Sequence, residues 1–187
     1  DSDGKPIYEH HSSDGFWGAH WTINVLWPLL CPKATWNFCN TFMNVYRDGG
    51  LVPRGIAGGN YSFVMVGSGA TSLLVSAIQK NIGTYDMEEV YEALKKNHMP
   101  GGLMSKSGYE HYTCVGGGLE YYMERGYIPE GIEAEGIHRD GAGMTLEYAY
   151  YDWCLAQLAK KLGKTDDYEM FMNRARNYRN VYDRESG

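Results

Sequence analysis

The feature that most constrains the fold is a series of apolar stripes at helical spacing, joined by short connections that contain glycine. Met87, Val90, Tyr91 and Leu94 recur at intervals of three and four residues, and Asp86 precedes them as an N-cap. The connection 163–165 is short enough to make its flanking helices antiparallel neighbours. No repeat with a period of about 34 or 40 residues is present, which argues against a tetratricopeptide or HEAT array. The pattern predicts an all-α chain of antiparallel helical hairpins, in an α-solenoid or a closed α/α barrel.

The other predicted helices follow from similar signals. We expect a buried helix over 16–30, a second from Pro32 to the Gly49–Gly50 pair, and a third that begins near Ser62 and continues through Ile78. A short helix is expected over 119–125, and longer ones over 145–162 and 166–182. Two glycine-containing loops, 98–118 and one that ends at Gly143, interrupt this series, and long loops of this kind are often functional.

Charge and composition limit the classes of partner. The net charge is −6, Lys and Arg form no stripe, and no apolar run is long enough to span a bilayer, so nucleic acid and membrane spanning are not expected. The 16 Tyr and 5 Trp residues suit either sugar recognition or an aromatic-rich helical core. The chain begins at Asp1 rather than Met, so we expect a mature or trimmed N-terminus.

The cysteines and histidines do not form a recognisable metal motif. No CxxC pair is present among Cys31, Cys39, Cys114 and Cys154, and the six His residues lack metal-ligand spacing. Cys39 and Cys154 lie on apolar helical stripes, which favours buried free thiols, although a disulfide stays open.

Glu147 is the strongest candidate for catalysis. It opens the predicted sixth helix, at one end of an otherwise apolar face formed by positions 147, 151, 154, 158 and 162. Partial desolvation there raises a carboxyl pKa and suits a general acid, whereas the helix dipole favours the ionised form. Acidic residues are also common in first turns for that dipole alone. No other carboxylate of the sequence pairs convincingly with Glu147.

Four stretches resemble one known family. The most specific is TLEYAYYDWCLAQLAKKLGKTDDYEMFMNRARNYRNVYD, which covers 145–183; looser matches are 16–32, 48–67 and GYIPEG at 126–131. These stretches are similar to the family 92 glycoside hydrolases, which are largely calcium-dependent exo-acting α-mannosidases. The resemblance implies part of an (α/α)6 barrel and hydrolysis of terminal α-linked mannose with inversion. Glu147, in TLEYAY, is then the general acid.

The resemblance also implies a substrate site. Trp17 matches a Trp of the family motif LWDTYR, here FWGAHW, in which Gly18 replaces an Asp that contacts the sugar. Arg54 and Asn60 match basic and amide positions of a family loop, PLAGNET, while Tyr61 replaces its Glu. His20, close to Trp17 on the predicted first helix, faces either a pocket or the core. Trp17, His20, Arg54 and Asn60 are therefore the substrate-binding candidates.

The resemblance further implies that residues 1–187 form one incomplete segment of the catalytic domain. We expect the N-terminal β-sandwich, the rest of the barrel, the catalytic base and the Ca²⁺ ligands to lie elsewhere in the protein, so the segment alone is expected to be inactive. Secretion or periplasmic location is implied in the same way. The expected partners are a mannose-containing glycan and the remainder of the same protein. The departure at Gly18 keeps open a second function, a non-catalytic glycan-binding protein on the same barrel.

Overall fold

The computed structural model describes residues 3–12, 14–57, 60–61, 63, 65–106, 117–130 and 141–186, with the backbone alone at 14, 56, 57 and 60. These residues confirm the all-α class. The α-helices are α1 (Ile23–Leu30), α2 (Pro32–Gly49), α3 (Gly69–Gln79), α4 (Met87–Asn97), α5 (Leu119–Arg125), α6 (Gly141–Lys161) and α7 (Thr165–Arg174). Single 3₁₀ helices cover Asp14–Trp21, Leu103–Ser105 and Ala175–Asn180, and strands β1 (Ile56–Ala57) and β2 (Asn60–Tyr61) form a short antiparallel pair.

Helices α2 and α4 form where local sequence signals predict them. Pro32 opens α2, since its missing N–H needs no partner in a first turn, and Gly50 ends it with a φ of 83°. Asp86 caps α4, because its Oδ1 accepts the backbone N–H groups of Glu88 and Glu89, each at 3.1 Å. All three boundaries confirm the predictions.

The main core lies around α3 and α6. Helix α3 is buried on most sides, with Leu73, Leu74 and Ala77 fully inaccessible. It packs against α2 and α6. Helix α6 also packs against α7, to which it is connected by the short turn at Gly163. A smaller apolar cluster joins α5 to the start of α6 through Leu119, Ile128 and other residues. The two clusters fix α6, which carries the candidate catalytic residue, along most of its length.

The prediction of one buried helix over 16–30 is wrong. A 3₁₀ helix ends at Trp21, Thr22 has non-helical dihedrals, and α1 begins at Ile23. Only Asn24 and Pro28 of α1 are buried, four residues apart on one face, whereas Leu29 and Leu30 are 68% and 73% exposed. A run rich in apolar residues therefore does not bury all its sides here, because only one face of α1 meets the core.

Three further boundaries differ from the predictions. Helix α3 begins at Gly69 rather than near Ser62, because backbone carbonyls of the preceding segment bond to a buried side chain, that of Arg54. Helix α6 begins at Gly141, four residues before Thr145. Helix α7 gives way to 3₁₀ geometry at Ala175. The tighter period rotates the apolar stripe away from the core, so Tyr178 is 44% exposed. Tyr182, which the predicted helix included, lies beyond the end of the 3₁₀ helix and is 60% exposed.

The thiols of Cys39 and Cys154 are free and buried, as the apolar stripes predicted, and Cys31 is free and exposed. Burial raises the pKa of each buried thiol to about 12, so both stay protonated at neutral pH. Cys114 lies outside the described residues. Among the helices of the described ranges, none has the length and hydrophobicity needed to cross a bilayer.

Candidate active site

Glu147 lies in the second turn of α6, not in its first turn as predicted, because the helix starts at Gly141. A Cβ atom at residue 141 would lie 2.2 Å from the carbonyl oxygen of Ile128. Only glycine therefore lets the first residue of α6 approach the backbone at Ile128 this closely. Thr145 secures the approach, since its hydroxyl accepts the N–H of Ile128 at 2.9 Å and donates to the carbonyl of Gly141 at 2.8 Å. The backbone around 128 thus sets the position of Glu147.

Tyr151 is the nearest hydrogen-bonding partner of Glu147. It lies one turn further along α6, is fully buried, and its hydroxyl is 3.5 Å from Oε2 of Glu147. The two residues are four positions apart, which places their side chains on one helix face. Gly67 covers this pair from the side, because a Cβ there would be 2.4 Å from Cε2 of Tyr151 and 3.1 Å from Oε2 of Glu147.

The surroundings keep Glu147 protonated to unusually high pH. Burial raises the pKa of Glu147 to about 7, while the hydrogen bond from Tyr151 and the positive charge of Arg54 act in the opposite direction. The side chain is half-buried, so it keeps some access to solvent or a ligand. A carboxyl with this pKa holds a proton that it can donate near neutral pH.

Arg54 is buried near this site, where its guanidinium group bonds to backbone carbonyls. It is 2% exposed, and its five N–H groups donate to the carbonyls of Gly67, Phe63, Met65, Leu103 and Lys106. Burial lowers the pKa of Arg54 to about 10, so it stays charged at neutral pH. The guanidinium holds two loop segments and supplies positive charge near Glu147, while its predicted contact with substrate stays a prediction.

His20 and Trp17 approach from the 3₁₀ helix before α1. Nδ1 of His20 is 3.2 Å from the hydroxyl of Tyr151 and 3.1 Å from the carbonyl oxygen of Trp17. Burial lowers the pKa of His20, against the opposite effect of the Trp17 carbonyl, so its ring is neutral at neutral pH. The Trp17 side chain is 36% exposed and packs edge-on against Trp21. The structure therefore brings the His20 ring to the Glu147 side of α6, and Trp17 is linked to it through its backbone carbonyl.

The predicted role of Asn60 cannot be placed in the same way, because its side chain lies outside the described residues, although its backbone forms β2. A cavity of about 440 Å³ is lined mainly by residues of the 3₁₀ helix Asp14–Trp21 and of α1, among them Gly18, Ala19 and Trp27. Glu147 does not line that cavity. This cavity is therefore not a pocket around the candidate acid.

A second polar cluster is buried on another face of α6. Asp152, fully buried, accepts hydrogen bonds from Nδ1 of His98 at 2.8 Å and from Nε of Arg174 at 2.8 Å. Tyr122 donates to the same carboxylate at 3.0 Å. The sequence did not reveal this cluster, because His98 and Arg174 lie far from Asp152 along the chain and no local pattern links them.

The described residues do not fit a calcium site. No group of three or more His, Cys, Asp or Glu side chains comes together in the ranges that the structure describes. Calcium in proteins takes six to eight oxygen ligands.

The family follows from comparison with known proteins. The model of the glycosyl hydrolase family 92 catalytic domain matches residues 2–187. The chain belongs to this family. An inverting mannosidase of family GH92 from Bacteroides thetaiotaomicron is 31% identical, with a TM-score of 0.79 over 96% of this chain and 23% of its own. A GH92 α-mannosidase from the same organism, solved with mannoimidazole, is 31% identical, with a TM-score of 0.76 over 96% of this chain and 21% of its own.

An uncharacterized secreted glycosidase from Arthroderma benhamiae is 27% identical over 164 residues, which are 85% of this chain and 20% of the fungal protein. This family 92 chain thus spans about a fifth of the length of the relatives that it matches.

Proposed function

We propose that this family 92 segment belongs to a glycoside hydrolase that removes terminal α-linked mannose from glycans. The observation that carries the proposal is the half-buried carboxyl of Glu147, whose pKa is about 7, in a chain of this family. The solved relatives are described as mannosidases, and one of them as inverting. The relatives also support the proposal that the segment forms part of a larger barrel-shaped catalytic domain.

In the proposed reaction, Glu147 donates its proton to the glycosidic oxygen as the bond to the anomeric carbon breaks. A second carboxylate, which we assign to a part of the protein outside the described residues, removes a proton from the attacking water. Inverting glycosidases hold the two carboxyl groups about 6.5–9.5 Å apart, which leaves room for that water. The proton of Glu147 leaves with the aglycone, and the base takes up the proton of the water.

Trp17 and His20 are the substrate-binding candidates that the geometry supports best. Both lie on the short 3₁₀ helix that reaches Tyr151, and Trp17 keeps a partly exposed ring for stacking on a sugar. Arg54 and Asn60 stay in the proposal from the family resemblance. Calcium is expected to bind elsewhere in the complete protein. A secreted or periplasmic location is proposed, supported by the relative from Arthroderma benhamiae, which is described as a secreted glycosidase.

Purified complete protein tests the activity. Mannose release from an α-linked mannobiose is expected for the wild type, and Glu147→Gln, which keeps the shape and removes the acid, should lower turnover roughly 100- to 10,000-fold. Unchanged binding of the disaccharide by the variant, measured by calorimetry, separates lost catalysis from lost folding. Turnover of the variant at the wild-type rate would overturn the role of Glu147.

A non-catalytic glycan-binding protein is the second candidate, and Gly18 favours it. A Cβ at residue 18 would meet only ring atoms of Trp21 at 3.5 and 3.6 Å, which is ordinary contact, so packing does not require glycine there. If Gly18 has cost the site its sugar contact, Gly18→Asp should raise affinity for mannose in the complete protein. Glycan binding without any mannose release by the wild type would establish this second function instead.

A further inference from the structure

We propose that Tyr151 and His20 act as positioning residues for Glu147. His20 holds the Tyr151 hydroxyl in the orientation that donates to the carboxyl group of Glu147. The inference rests on the proposed role of Glu147 as general acid. Neither residue donates or accepts the proton that moves in the reaction.

The contacts form one chain of polar atoms. The carbonyl oxygen of Trp17 lies 3.1 Å from Nδ1 of His20, and the same nitrogen lies 3.2 Å from the hydroxyl of Tyr151. That hydroxyl is 3.5 Å from Oε2 of Glu147. The chain starts at a backbone atom, whose position is set by the fold, and ends at the candidate catalytic carboxyl.

Hydrogen-bonding capacity fixes the direction of each link. A backbone carbonyl only accepts, so Nδ1 of His20 carries a hydrogen if it bonds to Trp17. Burial lowers the pKa of His20, so the neutral ring has a single N–H, and it is this one. Nδ1 then has no lone pair with which to accept from Tyr151. Its one hydrogen is shared between the carbonyl oxygen of Trp17 and the hydroxyl oxygen of Tyr151, whose own hydrogen is left to point at Glu147.

Packing prevents the Tyr151 ring from moving to another partner. The ring is fully buried and lies against the backbone of Gly67. His20 meets the ring edge-on, with centroids 5.2 Å apart, and stacks on Tyr150 at 5.7 Å. Both rings are therefore held from two sides, which is what a positioning role requires.

The hydroxyl of Tyr151 affects both states of the acid. A donated hydrogen bond favours the carboxylate, so it keeps burial from raising the pKa of Glu147 further. Arg54 is the charged group that acts in the same direction, and His20 is uncharged. When Glu147 gives up its proton, the carboxylate forms next to a donor that is already in place. The pKa of Tyr151 is well above its ordinary value, so its own proton stays on the phenol.

The test measures how kcat/KM, which reports the pKa of the free enzyme, depends on pH in the complete protein. Tyr151→Phe removes only the hydroxyl and should move the alkaline limb of kcat/KM upward by roughly one pH unit. His20→Ala should move it in the same direction, and the double variant should move it no further than Tyr151→Phe alone. His20→Asn, whose amide N–H replaces Nδ1–H, should keep the wild-type limb and so tests the link if Tyr151→Phe fails to fold. Tyr91→Phe is the matched control, since it also removes a buried hydroxyl, here one bonded to Asp167.

The outcomes separate this inference from the proposed function. An infrared titration of the Glu147 carboxyl, obtained as the difference between wild type and Glu147→Gln, gives its pKa without any turnover and should show the same upward shift. If Glu147→Gln is inactive and Tyr151→Phe leaves both the limb and the carboxyl pKa unchanged, the positioning role is wrong while the general acid stands. If Glu147→Gln keeps full turnover, the proposed function itself fails. Additive shifts in the double variant would show that His20 does not act through Tyr151.

Discussion

Gly67 and Tyr151 are packed so closely that a Cβ at residue 67 would lie 2.4 Å from Cε2 of the tyrosine ring. Gly67 has a φ of 78°, a conformation that side-chain-bearing residues rarely adopt. Its carbonyl accepts a hydrogen bond from Nε of Arg54 at 2.9 Å, which holds the backbone in place. The position of Glu147 on α6 therefore depends on Gly67, a loop residue that lies 80 positions earlier in the chain.

Gly67→Ala is expected to displace Tyr151 and with it the carboxyl of Glu147. Turnover should fall roughly 10- to 100-fold, because small misplacements of a catalytic group are costly. Gly163→Ala is the matched control: Gly163 has a similar φ of 72°, but a Cβ there meets nothing within 4 Å. Both variants should lose about 1–2 kcal/mol from backbone strain, measured by denaturant unfolding, and only Gly67→Ala should lose activity. Equal kcat values for the two variants would show that the contact does not matter.

The pKa of Glu147 predicts the alkaline limb of the rate. A general acid works in its protonated form, so kcat/KM, which reports the pKa of the free enzyme, should fall as pH rises through about 7 and decline tenfold per unit above it. The limb should disappear in Glu147→Gln, whose remaining rate has no such acid to lose. A profile of kcat/KM against pH in the complete protein checks both statements. A wild-type rate that stays flat from pH 6 to about 9 would be inconsistent with this assignment.

Asp152 is expected to matter for stability rather than for chemistry. Asp152→Asn leaves the buried Arg174 without its counter-charge, and breaking a buried pair in this way costs about 3–5 kcal/mol. Hydrogen exchange in α6 and α7 should become faster as a result. Glu169→Gln on the exposed side of α7 removes the same charge and serves as the control, with a change within about 0.5 kcal/mol. Equal exchange rates in the two variants would argue against a structural role for the cluster.

Buried histidine adds a pH dependence to the same cluster. Burial lowers the pKa of His98, against the opposing effect of Asp152, so the folded chain holds this ring neutral. Below about pH 6.5 the unfolded chain binds a proton that the folded chain does not, so the stability contributed by this residue is lost as pH falls. In His98→Gln that part of the loss should be absent. Unfolding measured at pH 7.5 and at about pH 5.5 checks this difference, and an identical loss in both proteins would contradict it.

Local signals predicted those helices whose ends are set within a few residues. The cap at Asp86 and the Pro32 start with the Gly49–Gly50 end are of this kind. The prediction was wrong where glycine allows close packing. Gly141 was assigned to a loop, yet it opens α6, because the backbone at Ile128 leaves no room for a side chain. Apolar composition failed in α1 for a similar reason, since burial depends on which face meets the core.

In the candidate site, too, only the contact between residues close in the sequence could be predicted. Glu147 and Tyr151 share a helix face, so their relationship was visible from their spacing of four residues. The contacts of Tyr151 with His20 and Gly67, and of Asp152 with His98, join residues far apart in the chain. Tertiary packing decides them, and no spacing rule in a single sequence carries that information.

The most direct test of the central claim compares leaving groups in the complete protein. Loss of a general acid slows the departure of a poor leaving group far more than that of a good one. Glu147→Gln should therefore lose roughly 100- to 10,000-fold in kcat on an α-linked mannobiose, but little on 2,4-dinitrophenyl α-mannoside, whose phenolate leaves without protonation. An equal loss on both substrates, or no loss on either, would contradict the assignment of Glu147 as the general acid.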